Sequence, residues 1–248
     1  MSSSLSAVTS LASLSSDSER ASFIASLSVE QRTQLSDQLS SLLSLLAPAS
    51  PKRTSTVKRS TKETSIEVSV DLDGTGKSEI STGLGFLDHM FTALAKHSLI
   101  DITLYCKGDL EVDDHHTAED CALALGQAID ASLGQSKAGI HRYGFAYAPL
   151  DESLSRAVVD LSGRPSANID LKFTRETVGK LSTEMLTHVF QSLAIAAKFT
   201  LHVTVLEGSN DHHKAESAFK ALALALRQAV SIDSKRSSTD IPSTKGSL

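Results

Sequence analysis

The spacing of hydrophobic positions changes several times along the chain. Up to about residue 51, leucines recur among serines, and Leu35, Leu39, Leu42, Leu43 and Leu46 form one stripe at helical spacing. Ser28 and Gln31 stand where a capping box would open that helix, and Pro48 and Pro51 where it would end. Over residues 65–71 the period drops to two, with Ile66, Val68 and Val70 on one face, which predicts a strand. Asp73-Gly74 then predicts a hairpin turn into a return strand over 78–82. Residues 85–97 read as a helix, 100–106 as a strand and 117–133 as a long Ala/Leu helix. The order recurs further on: a strand over 155–161, a turn at Gly163-Arg164-Pro165, a strand over 168–173, a helix over 183–197, a strand over 200–206 and a helix over 215–230.

This recurrence predicts an internally duplicated α/β body of the α+β type, each half packing a small, mostly antiparallel sheet against two helices. The expected organisation is a Ser/Leu-rich extension over 1–51, a basic Ser/Thr-rich linker over 52–62, a first half over 63–150 and a second over 151–248. With 248 residues and 40% hydrophobic content, the chain can bury a proper core. A net charge of -5 argues against a nucleic-acid partner, which would call for a basic surface. No apolar run approaches the roughly 20 residues needed to cross a bilayer, the longest being Ala221 to Leu226, so no membrane partner is expected. The extension makes two addresses conceivable, the cytoplasm, or a plastid if residues 1–51 include a transit peptide. Asp17, Glu19, Glu30 and Asp37, with no early arginine, weigh against the second. Cys106 and Cys121 have no partner at metal-finger or redox-motif spacing.

The chemistry lies in the histidines. Four of the nine form adjacent pairs, His115-His116 and His212-His213, each followed by a glutamate in the order His-His-x-x-Glu. Each pair is preceded by a histidine in the helix before it, His89 and His188. Positions i and i+4 stack on one helix face, so His115 can share an ion with Glu119, and His212 with Glu216. His116 and His213 must then point elsewhere, which suggests that each motif serves two sites. Imidazoles with carboxylates and no thiolate suit a divalent ion such as manganese better than a Cys-rich zinc site.

The segments Gly85-Phe86-Leu87-Asp88-His89-Met90, Asp113-Asp114-His115-His116-Thr117-Ala118-Glu119-Asp120, Leu150-Asp151-Glu152, Ser162-Gly163-Arg164-Pro165, Asn210-Asp211-His212-His213-Lys214-Ala215-Glu216-Ser217 and Pro242-Ser243-Thr244-Lys245-Gly246 resemble those of the imidazoleglycerol-phosphate dehydratase family. The resemblance runs from about residue 60 to 248. It implies a lyase of histidine biosynthesis that converts imidazole glycerol phosphate to imidazole acetol phosphate. The proton lost is on a carbon that is not acidic, and two ions binding the ring as imidazolate would spread the developing charge, letting the hydroxyl leave through a diazafulvene-like intermediate. The implied metal ligands are His89, His115, His116, Glu119, His188, His212, His213 and Glu216, holding two manganese ions per active site. Glu63 or Glu216 would do the acid/base work. Arg142, Arg164, Lys220, Ser243 and Lys245, with His97 and Thr244 nearby, match the positions that bind phosphate. The implied partners are a phosphorylated imidazole substrate and further copies of the chain, in a 24-subunit assembly with sites at its interfaces. Thr92-Ala93 departs from the pattern, replacing a usual Asp-Gln and removing one hydrogen bond to the phosphate.

Two rivals compete for the same residues. Asp71-Leu72-Asp73-Gly74-Thr75 has the look of a haloacid-dehalogenase-type phosphatase motif with Asp71 as nucleophile. A non-enzymatic metal-storage protein would use the histidines but leave Arg142, Arg164 and the Ser243-Thr244-Lys245 segment without a purpose.

Overall fold

The computed structural model describes residues 4–46, 52–134 and 137–248, with the side chains of 4–6 and 43–46 outside the description. The chain forms two compact units, residues 1–51 and 52–248.

Among the described residues the first unit holds three helices, α1 (Ser4–Ala12), α2 (Asp17–Ser26) and α3 (Val29–Leu46). The expected box at the start of α3 is present: Gln31 N–H donates to Ser28 Oγ, and Ser28 N–H donates to Gln31 Oε1. A second box, Ser16 with Glu19, opens α2 and was not anticipated. In the predicted stripe Leu35 is buried and Leu42 exposed, while Leu43, Leu46, Pro48 and Pro51 lie outside the described side chains.

The second unit is two copies of one plan. The first contains β1 (Thr54–Ser60), β2 (Thr64–Asp71), β3 (Ser78–Ser81), α4 (Gly85–Ser98), β4 (Asp101–Gly108) and α5 (His115–Leu133). The second contains β5 (Tyr143–Leu150), β6 (Ser153–Asp160), β7 (Ser166–Asp170), a small ribbon of β8 (Thr177–Val178) and β9 (Leu181–Ser182), α6 (Thr183–Ala196), β10 (Thr200–Glu207) and α7 (Asp211–Val230). The sheets run β1-β2-β4-β3 and β5-β6-β10-β7. In both, the first three strands are antiparallel and the last is parallel to its neighbour. The duplicated, mostly antiparallel architecture expected from the pattern is therefore present.

Two expectations need correction, and one strand was not expected. Asp73-Gly74 does not close a hairpin, because β3 pairs in parallel with β4, which lies between it and β2. The turn is held instead by Asp101, whose carboxylate accepts the N–H groups of Thr75 and Lys77. The basic stretch 52–62 is no linker, since it contains β1. Its inward positions are mostly polar, and hydrogen bonds replace the missing apolar signal: Ser55 Oγ donates to Ala128 O (2.7 Å), and Arg59 pairs with the buried Asp120. Strand β5 went unpredicted because its pattern is inverted, with Tyr143, Phe145 and Tyr147 exposed and small residues facing α7. A side chain at Gly144 would run into the backbone of Ala225.

The helices lie between the sheets. Helix α5 packs on β1 and β2, α7 on β5 and β6, and across the halves α5 meets α6 while α4 meets α7. The core between them includes Phe91, Phe190 and Phe219, with the rings of Phe190 and Phe219 4.5 Å apart. Gly126 lets α5 approach α6 closely, since a Cβ there would sit 2.7 Å from Ala196 Cβ. These two crossed helix pairs position the site.

Candidate metal centre

Helices α5 and α7 begin at His115 and Asp211, so both His-His-x-x-Glu motifs occupy first turns. At α7 Asn210 accepts the N–H of His212. The i, i+4 stacking inferred from sequence is observed: His115 Nε2 is 3.5 Å from Glu119 Oε2, and His212 Nε2 is 3.3 Å from Glu216 Oε2. The earlier histidines then join crosswise. His89 of the first half lies 3.1 Å from Glu216 Oε2, and His188 of the second lies 3.2 Å from Glu119 Oε1. The pairing follows from packing, because α4 lies on α7 and α5 on α6.

Two triads result, His89/His212/Glu216 and His115/Glu119/His188, with the donor atoms of each within 4.8 Å of one another. The donor set fits a borderline or hard divalent cation. One atom argues for it directly. His188 Nε2 is buried and makes no hydrogen bond among the described residues, although Glu119 is close, and such an orphaned donor or acceptor normally has a partner.

His116 and His213 join neither triad. His116 Nδ1 is 2.9 Å from Asp109 Oδ2, and its Nε2 is 3.8 Å from Glu63 Oε1. His213 Nδ1 is 2.6 Å from Glu152 Oε2, and its Nε2 is 3.9 Å from Asp151 Oδ2. The carboxylates raise the pKa of both rings, Asp109 that of His116 and Glu152 that of His213. Reciprocally, the His213 ring and the N–H groups of loop 208–210 hold the Glu152 carboxyl well below its usual range.

Glu216 is held by Lys220 and His89 at the first triad. Burial pushes its carboxyl up, but the Lys220 ammonium 2.8 Å away and the His89 ring outweigh burial and hold it down at about 2. Lys220 also acts on His97, whose pKa is lowered first by burial and then by that ammonium. Lys220 and His97 thus sit beside the first triad.

The other residues matched to phosphate binding are elsewhere. Arg142 N–H donates to Ala229 O near the far end of α7, about 20 Å along the helix from Glu216 at 1.5 Å per residue. Its side chain is buried and largely committed, donating from Nε and Nη2 to Asp160 (2.7 and 3.1 Å) and from Nη1 to Pro242 O (2.7 Å). Arg142 thereby anchors the segment carrying Ser243, Thr244 and Lys245. The segment's last residue, Leu248, lies against Gly163, next to the exposed Arg164. Thr92 and Ala93 lie on α4, Thr92 exposed and Ala93 buried, and neither offers an amide side chain.

Sequence reasoning missed the buried pair behind the second motif. Lys214 Nζ donates to Asp211 Oδ1 (2.8 Å) and Lys172 O (2.8 Å), and Asp211 also accepts the N–H groups of Thr174 and Arg175. Two ionisable residues inside a histidine motif, spaced i, i+3, were the available signal.

Comparison with known proteins now decides the family, since the profile of imidazoleglycerol-phosphate dehydratase matches residues 82–226. The chain belongs to the imidazoleglycerol-phosphate dehydratase family. It is 60% identical over 196 residues to the imidazoleglycerol-phosphate dehydratase of Phytophthora nicotianae, covering 79% of this chain and 42% of that relative. It is 57% identical over 203 residues to that of Phaffia rhodozyma, covering 80% and 97%. The chain thus spans less than half of the first relative and nearly all of the second. Among solved structures, the dehydratase of Pyrococcus furiosus aligns with a TM-score of 0.66 at 35% identity, covering 77% of this chain and all of that one. The dehydratase of Staphylococcus aureus aligns with a TM-score of 0.65 at 34% identity, covering 73% and 99%. The dehydratase is a carbon-oxygen lyase of histidine biosynthesis, and the reaction expected from the sequence is that of its family. The phosphatase reading is not supported by the structure either, because Asp71 ends an antiparallel strand, with its Oδ1 accepting Asp73 N–H (2.9 Å).

Proposed function

We propose that this dehydratase converts imidazole glycerol phosphate to imidazole acetol phosphate with two manganese ions per active site, at sites completed by neighbouring copies of the chain. The observation that carries the reading is the arrangement of the eight predicted ligands. Six form two crossed triads, while His116 and His213 turn away with their Nε2 atoms directed elsewhere. Three donors fall short of the roughly six an octahedral ion takes. A histidine from another copy and the substrate's own groups would complete the set.

The positions of the phosphate residues support the same view. Within one chain, Arg142, Arg164 and the Ser243, Thr244 and Lys245 segment lie at the opposite end of α7 from Glu216, too far to grip a small substrate held there. The reading therefore gives the phosphate to Arg164, Ser243, Thr244 and Lys245 of a neighbouring copy, with Arg142 bracing that segment. Lys220 and His97 act from the same chain as the first triad. A closed homo-oligomer of 24 subunits is the assembly this reading adopts.

When bound, manganese supplies the Lewis acidity that holds the substrate's imidazole ring as imidazolate. The chain's own residues move the proton and orient the substrate. Glu63 is the better proton carrier. Its side chain makes no hydrogen bond among the described residues and stands half-exposed 3.8 Å from His116 Nε2. Glu216 is bound by Lys220, His89 and His212, so its carboxylate is already taken up within the first triad. We assign Glu63 the acid/base work and Glu216 to metal alone.

Dehydration of imidazole glycerol phosphate, assayed on metal-free and manganese-reconstituted protein, tests the function. Activity that returns with manganese supports it. Manganese bound with no turnover would leave a storage protein.

A further inference from the structure

The two halves orient their second histidines by different means. Glu63 immediately precedes β2 and Glu152 immediately precedes β6, so the two glutamates hold equivalent places in the duplicated plan. Glu152 is fully committed. Its Oε1 accepts the N–H groups of Ser209 (3.2 Å) and Asn210 (2.8 Å) and the hydroxyl of Ser209 (3.3 Å), and its Oε2 meets His213 Nδ1. In the first half the task falls to Asp109, in the loop between β4 and α5, while the corresponding loop 208–210 contains no acid. Asp109 thereby frees Glu63 for the Nε2 side of His116.

We propose that Asp109 and Glu152 are positioning residues, each accepting the Nδ1 proton of its histidine so that the Nε2 lone pair of His116 and of His213 is presented to a divalent ion. The inference deepens the manganese reading given above and rests on it. Neutral imidazole carries one proton, so a carboxylate at Nδ1 fixes which nitrogen is free and holds the ring plane. Asp109 makes the same point from its other oxygen. Oδ1 is buried without a partner among the described residues, a cost that a residue kept only to brace the loop would have no reason to carry.

Glu152→Gln is the decisive variant. Two backbone N–H groups must still find an acceptor, so the amide oxygen stays on Ser209 and Asn210 and the NH2 group faces His213. Nδ1 then has to accept, the ring proton moves to Nε2, and the lone pair offered to metal disappears. The loop brace is kept. Asp109→Ala removes the acceptor in the first half, where an amide could flip and conceal the effect.

The measurement is manganese affinity and bound manganese by paramagnetic resonance, with melting temperature recorded alongside. The expected result is a loss of about 10- to 100-fold in affinity for each variant, with the melting temperature of the metal-free protein unchanged for Glu152→Gln. Wild-type affinity in both variants, beside a wild type that binds manganese normally, would overturn the positioning role and leave the metal reading standing. Loss of affinity only in step with a fall in melting temperature would also overturn it, by making both residues braces. A wild type that binds no manganese would sink both readings.

Discussion

On the proposed reading, Glu63 and Glu216 take on two kinds of chemistry that look alike in the sequence. Glu63→Gln is expected to retain metal while turnover falls by about 10²- to 10⁴-fold, the loss typical of a positioned proton-transfer group. Glu216→Gln should lose metal together with rate, because it removes the carboxylate shared by His89 and His212. Elemental analysis beside steady-state kinetics checks both, and near-normal turnover in Glu63→Gln would end its acid/base assignment. At this scale His115 with Glu119 and His212 with Glu216 could be paired in advance, since i, i+4 stacking is a local property of any helix, whereas His89 and His188 could be named only as the matching histidines of the preceding helices. Asp109 and Glu152 could not be given roles, because they reach their histidines through loops. Lys214 and Asp211 were quoted inside a motif, but burial decides what a charged pair does, and burial is not visible in an unaligned sequence.

That pair belongs to the energetics of α7. Asp211 and Lys214 are both buried, and removing one partner of such a pair typically costs about 3–5 kcal/mol by stranding the other charge. Asp211→Asn should therefore lower stability in urea or thermal melts by an amount of that order, and no measurable change would show that the pair carries no weight. The pH dependence has a definite sign. Burial raises the Asp211 carboxyl, but Lys214 and the N–H groups of Arg175 and Thr174 outweigh it and bring it down to about 2, below its usual value near 3.8. Its contribution is thus complete above about pH 4 and is lost as pH falls through about 2. Asp211→Asn should flatten that part of the acid-unfolding curve. The C-terminal segment is a second element with a separable task. Removing residues 243–248 should leave secondary structure and manganese content unchanged while raising KM sharply, since Arg164 would be the one residue left of the phosphate grip proposed for the neighbouring copy. An unchanged KM would show that the segment does not reach substrate. Helices α4 to α7 and strands β2, β4, β6 and β10 were legible because their apolar faces repeat at 3.6 or 2. Strand β1 was hidden by polar inward residues and β5 by exposed aromatics. The Asp73-Gly74 turn misled because turn chemistry is local and strand partnership is not.

For the whole molecule, the duplication is the organising fact. Two copies of one sheet-and-helix plan face each other so that each triad draws its first histidine from the opposite half, which the recurrence of motifs suggested only as a pair of similar halves. Crossed packing of α4 on α7 and α5 on α6 could not be read from periodicity, because both helices of each half have apolar faces of the same kind. The same packing leaves His116 and His213 outside the triads and places Arg142, which braces the proposed phosphate segment, near the far end of α7. A single chain is on this account an incomplete enzyme, and metal and assembly are linked, because an ion that bridges copies contributes its binding free energy to association. Sedimentation of the protein with divalent metal, after chelation and after manganese is restored tests this most directly. The account predicts a large particle that falls to a smaller species on chelation, with activity lost, and that re-forms with manganese. A chelated protein that keeps the full particle mass would contradict it, since the histidines would then hold their ions without joining one chain to the next.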